Sequence, residues 1–135
     1  MSNQTSVRIV IADDASDLRM LLKFGLTMGG EIEVVDEAGT GIEAVELTLK
    51  HRPDVVVLDI SMPLMDGLQA AIEIKRQAPK TRIVIFSGFR DSELQEKALE
   101  AGADRYVEKN GDLEGLKRVV LQCAQAVPVS LSPGP

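Results

Sequence analysis

The sequence predicts an α/β domain built on an open, doubly wound parallel sheet of five strands. Short apolar runs rich in β-branched residues alternate with apolar residues at helical spacing, and the alternation occurs five times. Five such units are too few for a closed eight-stranded barrel. The chain has 135 residues, of which 44% are hydrophobic and 27% are charged. Length and composition therefore indicate one globular domain and not a disordered chain.

Each predicted strand is a short, mostly apolar run. In chain order the runs are Val7–Ala12, Ile32–Ala38, Val55–Leu58, Ile83–Phe86 and the pair Tyr106 and Val107. The second run predicts a weaker strand, because Glu33 and Asp36 interrupt it. The third run is apolar throughout, as expected for a parallel strand with helices over both of its faces.

Each predicted helix lies between or after these strands and carries apolar residues at helical spacing. In chain order they are Leu18, Leu21, Leu22 and Leu26; Ile42, Val45 and Leu49; Leu68, Ala71 and Ile72; Leu94, Ala98 and Ala101; and Leu113, Leu116, Val119, Val120, Cys123 and Val127. We expect Asp13, Asp14 or Ser16 to cap the first helix and Gly29-Gly30 to end it. The fourth pattern is the faintest, and the fifth is the cleanest amphipathic stripe of the chain.

Alternation of strands and helices favours right-handed crossovers and a parallel sheet with helices on both faces. The expected arrangement is the flavodoxin-like (βα)5 fold with strand order 2-1-3-4-5, in which the first and third strands are neighbours. Sheets of this kind bind ligands at the carboxyl ends of their strands, near the switch point. The residues at those ends are therefore the candidate functional residues.

Composition also excludes several classes of protein. The net charge of −6 disfavours nucleic-acid binding through this chain alone, since an acidic surface repels phosphate backbones. No apolar run approaches the ~20 residues of a membrane-spanning helix, and the N-terminus lacks the basic and apolar regions of a signal peptide. Cys123 is the only cysteine, which excludes an intramolecular disulfide and fits a reducing cytosol. We expect a cytoplasmic protein with no membrane partner.

Polar side chains follow four of the predicted strands. Asp13 and Asp14 follow the first, Asp59 ends the third, Ser87 ends the fourth and Lys109 follows the fifth. A single one of these carboxylates is equally well explained as a helix cap or a solvated loop charge. Three carboxylates that converge at neighbouring strands repel one another, and a hard divalent cation such as Mg²⁺ relieves that repulsion.

The other two polar residues point to phosphate chemistry. Lys109 supplies a point charge for a phosphoryl oxygen, and Ser87 supplies a hydroxyl donor for another. A carboxylate nucleophile, a metal that neutralises developing charge and these two groups together suit in-line phosphoryl transfer.

At these residues the chain resembles the receiver domains of bacterial two-component response regulators. The resemblance covers residues 7 to about 126. Its motifs are Asp13-Asp14, the segment from Leu58 to Gly67, Ser87-Gly88 and the segment from Ala101 to Lys109. Each motif is weak alone, but their order and their places at the strand ends make the resemblance specific.

The resemblance implies roles for individual residues. Asp59 would be the phosphoacceptor, and the donor would be a sensor histidine kinase or a histidine phosphotransfer protein. Asp14 and Asp59 would ligate Mg²⁺ directly, Asp13 would act through water, and the backbone carbonyl of Ser61 would complete the ligands from the protein. Two further residues have roles at the phosphoryl group: Lys109 and Ser87, which would hold its oxygens.

The resemblance also implies an output. Tyr106 would be the aromatic residue whose rotamer follows the Ser87 hydroxyl, so that the face formed by the fourth helix, fifth strand and fifth helix switches. That face would serve a homodimer or a downstream protein target. We expect no enzymatic activity beyond the chain's own phosphorylation and dephosphorylation.

Two positions depart from the family pattern. Many receivers have a proline in a cis peptide after the lysine, whereas Asn110 follows Lys109 here. Since a non-proline cis bond costs ~3 kcal/mol, we expect a trans bond and a differently directed loop. Phe89 is the second departure, and it has two interpretations: packing under the fourth helix or gating of the phosphorylation pocket.

Other functions compete with this interpretation. We expect residues 1–126 to form the receiver and residues 127–135 to form a linker-like tail. If that tail is a truncated linker, the chain is the receiver half of a LuxR-type DNA-binding transcription regulator. An aspartyl-nucleophile phosphohydrolase is a remote alternative, because Ser61 stands where such an enzyme needs a general acid and no cap domain is present. A dinucleotide-binding protein is disfavoured because Asp13-Asp14-Ala15-Ser16 replaces the necessary glycines.

Overall fold

Five parallel strands in the order β2-β1-β3-β4-β5 form the sheet of the computed structural model, which describes residues 6–125. The strands are β1 (Val7–Ala12), β2 (Ile32–Ala38), β3 (Val55–Leu58), β4 (Arg82–Ser87) and β5 (Arg105–Glu108). The helices are α1 (Ser16–Thr27), α2 (Gly41–His51), α3 (Gly67–Gln77), α4 (Ser92–Glu100) and α5 (Leu113–Gln125). The predicted fold class and strand order are confirmed.

The sheet separates two apolar cores because successive side chains of a strand point to opposite faces. In β1, Ile9 and Ile11 pack with α1 and α5, whereas Val10 and Ala12 pack with α2, α3 and α4. All four side chains are at most 1% exposed. This packing fixes the strand positions from both sides and so fixes the residues that follow them.

Several local predictions need correction or fall outside the description. The predicted N-cap of α1 is wrong: Ala15 occupies that position without a side-chain cap, because the Asp13 carboxylate instead accepts a hydrogen bond from the Ala15 N–H. Leu21 and Ile72, members of predicted apolar stripes, are 54% and 52% exposed. Val127 and the predicted tail, residues 127–135, lie outside the described residues.

A close backbone approach shapes the loop that follows β3. Gly67 begins α3, and a Cβ atom at this position would clash with the carbonyl oxygen of Asp59. Gly41 begins α2, where a Cβ atom would clash with the carbonyl oxygen of Met65. Glycine at both positions therefore lets the loop fold back against two helix N-termini. Within residues 6–125, no helix has the length and apolar character needed to span a membrane.

Candidate functional site

The acidic residues predicted from the strand ends form one cluster. Ala12 of β1 pairs with Leu58 of β3, so the residues that follow, Asp13 and Asp59, come next to each other. The Asp59 N–H donates to the Ala12 carbonyl oxygen at 2.9 Å. Carboxylate oxygens of Asp13, Asp14 and Asp59 all lie within 4.8 Å of one another. Asp13 and Asp59 are buried, and Asp14 is exposed, so the cluster opens to solvent on one side.

Lys109 places a cation against this cluster. Its Nζ lies 2.9 Å from Asp13 Oδ2 and 3.3 Å from Asp59 Oδ1. The Lys109 N–H donates to the Ser87 carbonyl oxygen at 2.7 Å, which ties the residue after β5 to the end of β4. The predicted convergence of the lysine with the carboxylates is present in the structure.

Electrostatics at the cluster favours a bound cation. Burial raises the pKa of the Asp59 carboxyl, and the nearby Asp13 charge raises it further, while Lys109 opposes both effects. For Lys109, burial disfavours the charged form, but the hydrogen bond to Asp13 and the charge of Asp59 outweigh it, so the pKa of Lys109 is raised. One lysine therefore does not balance the carboxylates.

The donor atoms of the cluster fit Mg²⁺. This ion prefers oxygen ligands, keeps several waters and commonly uses only one or two carboxylates. Carboxylate oxygens from two buried residues and one exposed residue provide such a set. Ser61 lies in the loop directly after β3, where its backbone acts to lower the pKa of the Asp59 carboxyl. The role of the Ser61 carbonyl oxygen as a ligand stays a prediction.

Ser87 and Tyr106 contact the same residue. Ser87 is fully buried at the end of β4, and its Oγ accepts a hydrogen bond from the Phe89 N–H at 3.1 Å. Tyr106, on β5, donates its hydroxyl to the Phe89 carbonyl oxygen at 2.8 Å. The Phe89 side chain is 51% exposed, which contradicts the interpretation that it packs under α4. Its gating role stays a prediction.

The segment after Lys109 is trans, as the sequence predicts, since no peptide bond within residues 6–125 is cis. Asn110 Oδ1 accepts a hydrogen bond from the Asp112 N–H at 3.0 Å. Asp112 Oδ1 in turn accepts from the Gly115 N–H at 2.9 Å. The two side chains thus direct the loop into α5.

Sequence reasoning missed one residue beside the cluster. Arg19, on α1, donates from its guanidinium to the Asp13 carbonyl oxygen at 2.6 Å. It also pairs with Glu37 of β2 at 3.2 Å. The available signal was a basic residue next to the apolar stripe, one turn into the helix that follows the acidic pair.

Known proteins resemble this chain over most of its length. The family model of the response regulator receiver domain matches residues 9–121. The Bacillus subtilis transcriptional regulatory protein YhcZ is 42% identical over 110 residues, which are 82% of this chain and 51% of YhcZ. CheY, a chemotaxis protein of Bacillus subtilis, is 42% identical over 102 residues, which are 76% of this chain and 84% of CheY.

A solved structure has the same fold. The signal receiver domain of NarL from Mycobacterium tuberculosis superposes with a TM-score of 0.87 at 34% identity, covering 90% of this chain and 98% of that domain. This chain thus matches nearly a whole receiver domain, but it spans only about half the length of the transcriptional regulator YhcZ.

Proposed function

Because this chain belongs to the response regulator receiver-domain family, we propose that it accepts a phosphoryl group on Asp59 as one step of a two-component signalling system. The donor is a sensor histidine kinase or a histidine phosphotransfer protein. The observation that carries the proposal is the meeting of Asp13, Asp14, Asp59 and Lys109 at one edge of the sheet.

Asp59 has the chemistry of the nucleophile. A carboxylate oxygen of Asp59 attacks phosphorus, the new O–P bond forms in line, and the N–P bond to the donor imidazole breaks. Lys109 already lies 3.3 Å from an Asp59 oxygen, so its ammonium is placed to pair with an oxygen of the incoming group. We assign the Ser87 hydroxyl to a second phosphoryl oxygen.

We assign the cation site to the same cluster. Asp14 and Asp59 would hold Mg²⁺ directly, Asp13 would act through water, and Ser61 would contribute its backbone carbonyl. A bound ion would supply charge neutralisation for the phosphoryl oxygens. The support is the set of three carboxylates with oxygens within 4.8 Å and the solvent exposure of Asp14.

Intact-mass analysis tests the assignment of Asp59. Incubation with a small-molecule phosphodonor and Mg²⁺ is expected to add one phosphoryl group that is stable in acid and labile in base. Asp59→Asn should remove the adduct, whereas Asp17→Asn, which changes an exposed carboxylate on α1, should keep it. Stoichiometric phosphorylation of Asp59→Asn would show that the nucleophile is another residue.

A partner protein must approach the edge of the sheet, and α1 offers it an apolar surface. Four large apolar side chains on or at the end of this helix are 54–71% exposed: Met20, Leu21, Phe24 and Met28. The helix begins two residues after Asp14, so its first turn lies beside the cluster and the apolar surface extends away from it along the helix. Apolar patches of this kind mark interaction sites, and we assign this one to the phosphodonor.

For the output, we propose that phosphorylation changes the face formed by α4, β5 and α5, which then binds a second copy or a downstream protein. The support is the pair of hydrogen bonds that link Ser87 and Tyr106 to Phe89. We propose no reaction for the chain beyond taking up and losing its own phosphoryl group.

A second candidate concerns the whole protein. YhcZ is a transcriptional regulatory protein about twice as long as the matched segment, which favours a receiver half of a LuxR-type DNA-binding regulator. In that case residues 1–126 are the receiver and residues 127–135 begin a linker to the output domain. The length of the natural open reading frame distinguishes this candidate from a single-domain receiver. A cytoplasmic location stays a prediction.

A further inference from the structure

Arg19 contacts the main chain of the acidic cluster from a different element. Its Nη1 donates to the Asp13 carbonyl oxygen at 2.6 Å, and its Nε donates to Glu37 Oε1 at 3.2 Å. The side chains of Arg19 and Glu37 are only 21% and 31% exposed. The guanidinium therefore joins α1 and β2 to the turn that carries Asp13 and Asp14.

The hydrogen bond from Arg19 fixes the carbonyl group of Asp13. The other polar groups of Asp13, its N–H and its carboxylate, have partners elsewhere. The Asp13 N–H donates to the Ala38 carbonyl oxygen at 2.9 Å. One carboxylate oxygen accepts from the Ala15 N–H at 2.9 Å, and the other pairs with Lys109 at 2.9 Å. The carbonyl held by Arg19 belongs to the peptide that links Asp13 to Asp14, so its direction sets the position from which the exposed Asp14 carboxylate projects.

Charge compensation makes this arrangement compatible with a cation site. An isolated guanidinium near the cluster would repel a divalent ion. Glu37 pairs with Arg19 at 3.2 Å and, more weakly, with the exposed Lys23 Nζ at 3.9 Å, so it offsets part of the Arg19 charge. Arginine suits the task because its planar fork holds a carbonyl and a carboxylate at the same time.

We propose that Arg19 is a positioning residue for Mg²⁺ binding, which acts by holding the Asp13–Asp14 peptide while Glu37 offsets part of its charge. The inference rests on the proposed function, because it requires Mg²⁺ to bind at Asp14 and Asp59. Partners that orient metal ligands from outside typically change metal affinity 10- to 100-fold when mutated.

Calorimetric titration of the metal-free protein with MgCl₂ tests the inference. We expect Arg19→Gln to weaken the Kd for Mg²⁺ by about tenfold or more. Arg19→Lys should fall between this variant and the wild type, because one ammonium does not reproduce the fork. Arg76→Gln is the matched control, since Arg76 is an exposed arginine paired with Glu73 on α3, and its Kd should equal that of the wild type.

A second measurement distinguishes a role of Arg19 in positioning the metal ligands from a role in folding. If Arg19 acts through the metal, raising the Mg²⁺ concentration should restore phosphorylation of Arg19→Gln by a small-molecule donor. A wild-type Kd in Arg19→Gln overturns the inference, and if that variant does not fold, a wild-type Kd in Arg19→Lys overturns it. Failure of the wild-type protein itself to bind Mg²⁺ instead refutes the metal site of the proposed function.

Discussion

The hydroxyl groups of Ser87 and Tyr106, on neighbouring strands, are joined through the backbone of a single residue. The Phe89 N–H donates to Ser87 Oγ at 3.1 Å, and the Phe89 carbonyl oxygen accepts from the Tyr106 hydroxyl at 2.8 Å. A movement of the Ser87 hydroxyl toward a phosphoryl oxygen breaks the first bond. The loop that carries the second bond would then be released, which would connect the proposed phosphorylation site to β5.

This connection predicts that Ser87→Ala uncouples the site from the output face. Asp59 should still be phosphorylated, more slowly, because Lys109 and the carboxylates are unchanged. Hydrogen exchange over residues 88–107, with and without a phosphoryl mimic at Asp59, should change in the wild type and not in Ser87→Ala. Tyr106→Phe, which removes only the hydroxyl, should reduce the change in a similar way. Equal changes in all three proteins would exclude the Phe89 connection.

Mg²⁺ is expected to stabilise the fold because it relieves repulsion among the clustered carboxylates. At ten times the Kd, mass action predicts a gain of about 1.4 kcal/mol in the free energy of unfolding, seen as a thermal shift of several degrees. Asp14→Ala should abolish the shift and should be at least as stable as the wild type without metal. Absence of a shift in the wild type would contradict the assignment of the cluster as a cation site.

Without metal, Asp59→Asn should be more stable than the wild type at pH 7. Burial and the Asp13 charge raise the pKa of Asp59 in the folded state, so the folded state holds the Asp59 proton to a higher pH than the unfolded chain does. The stability of the wild type therefore falls as pH rises through the folded pKa. Urea unfolding in the presence of a chelator should show the advantage of the variant at pH 7 and its loss near pH 4, where the carboxyl of the unfolded chain becomes protonated. If Asp59→Asn were more stable than the wild type by the same amount at both pH values, the raised pKa of Asp59 would be excluded as the cause.

Gly67→Ala and Gly41→Ala should both destabilise the domain. Each added methyl group meets a backbone carbonyl oxygen, of Asp59 and of Met65 respectively, and backbone cannot move aside as a flexible side chain can. We expect a loss of about 1–3 kcal/mol in the free energy of unfolding, measured by urea titration. Gly88→Ala is the control, because a Cβ atom there meets nothing within 4 Å. Similar losses at Gly67 and Gly88 would contradict the packing of this loop.

The apolar surface of α1 should matter for a protein donor and not for a small molecule. Phe24 is 71% exposed, so Phe24→Ser leaves the core intact, yet it should slow transfer from a phosphorylated donor protein by about tenfold if Phe24 is an anchor of the interface. Phosphorylation by a small-molecule donor should stay unchanged. Ile72→Ser, on α3 and 52% exposed, should affect neither rate. If Phe24→Ser reacted slowly with both donors, Phe24 would act on the phosphorylation site and not on the binding of the donor protein.

Local patterns in the sequence predict the strands and helices, and the flavodoxin-like order that their alternation favours predicts the convergence of Asp13, Asp14, Asp59 and Lys109. Strands and helices follow from local apolar periodicity, and parallel strands bring their carboxyl ends to one edge. Asp13 and Asp59 follow neighbouring strands and therefore meet, whereas Lys109 follows β5 and reaches Asp59 past β4 with its long side chain. The cluster within 4.8 Å agrees with this expectation.

Which side chains hold that cluster and connect it to the rest of the fold became visible only in the folded chain. Arg19 and Glu37 are 18 positions apart, as Tyr106 is 17 positions from Phe89, and apolar periodicity carries no information about such pairs. The Asp13 carboxylate likewise pairs with Lys109, which lies 96 positions away in the chain. Hydrogen bonds of this kind depend on side-chain direction and on distances between elements, which exist only once the two cores have packed against the sheet.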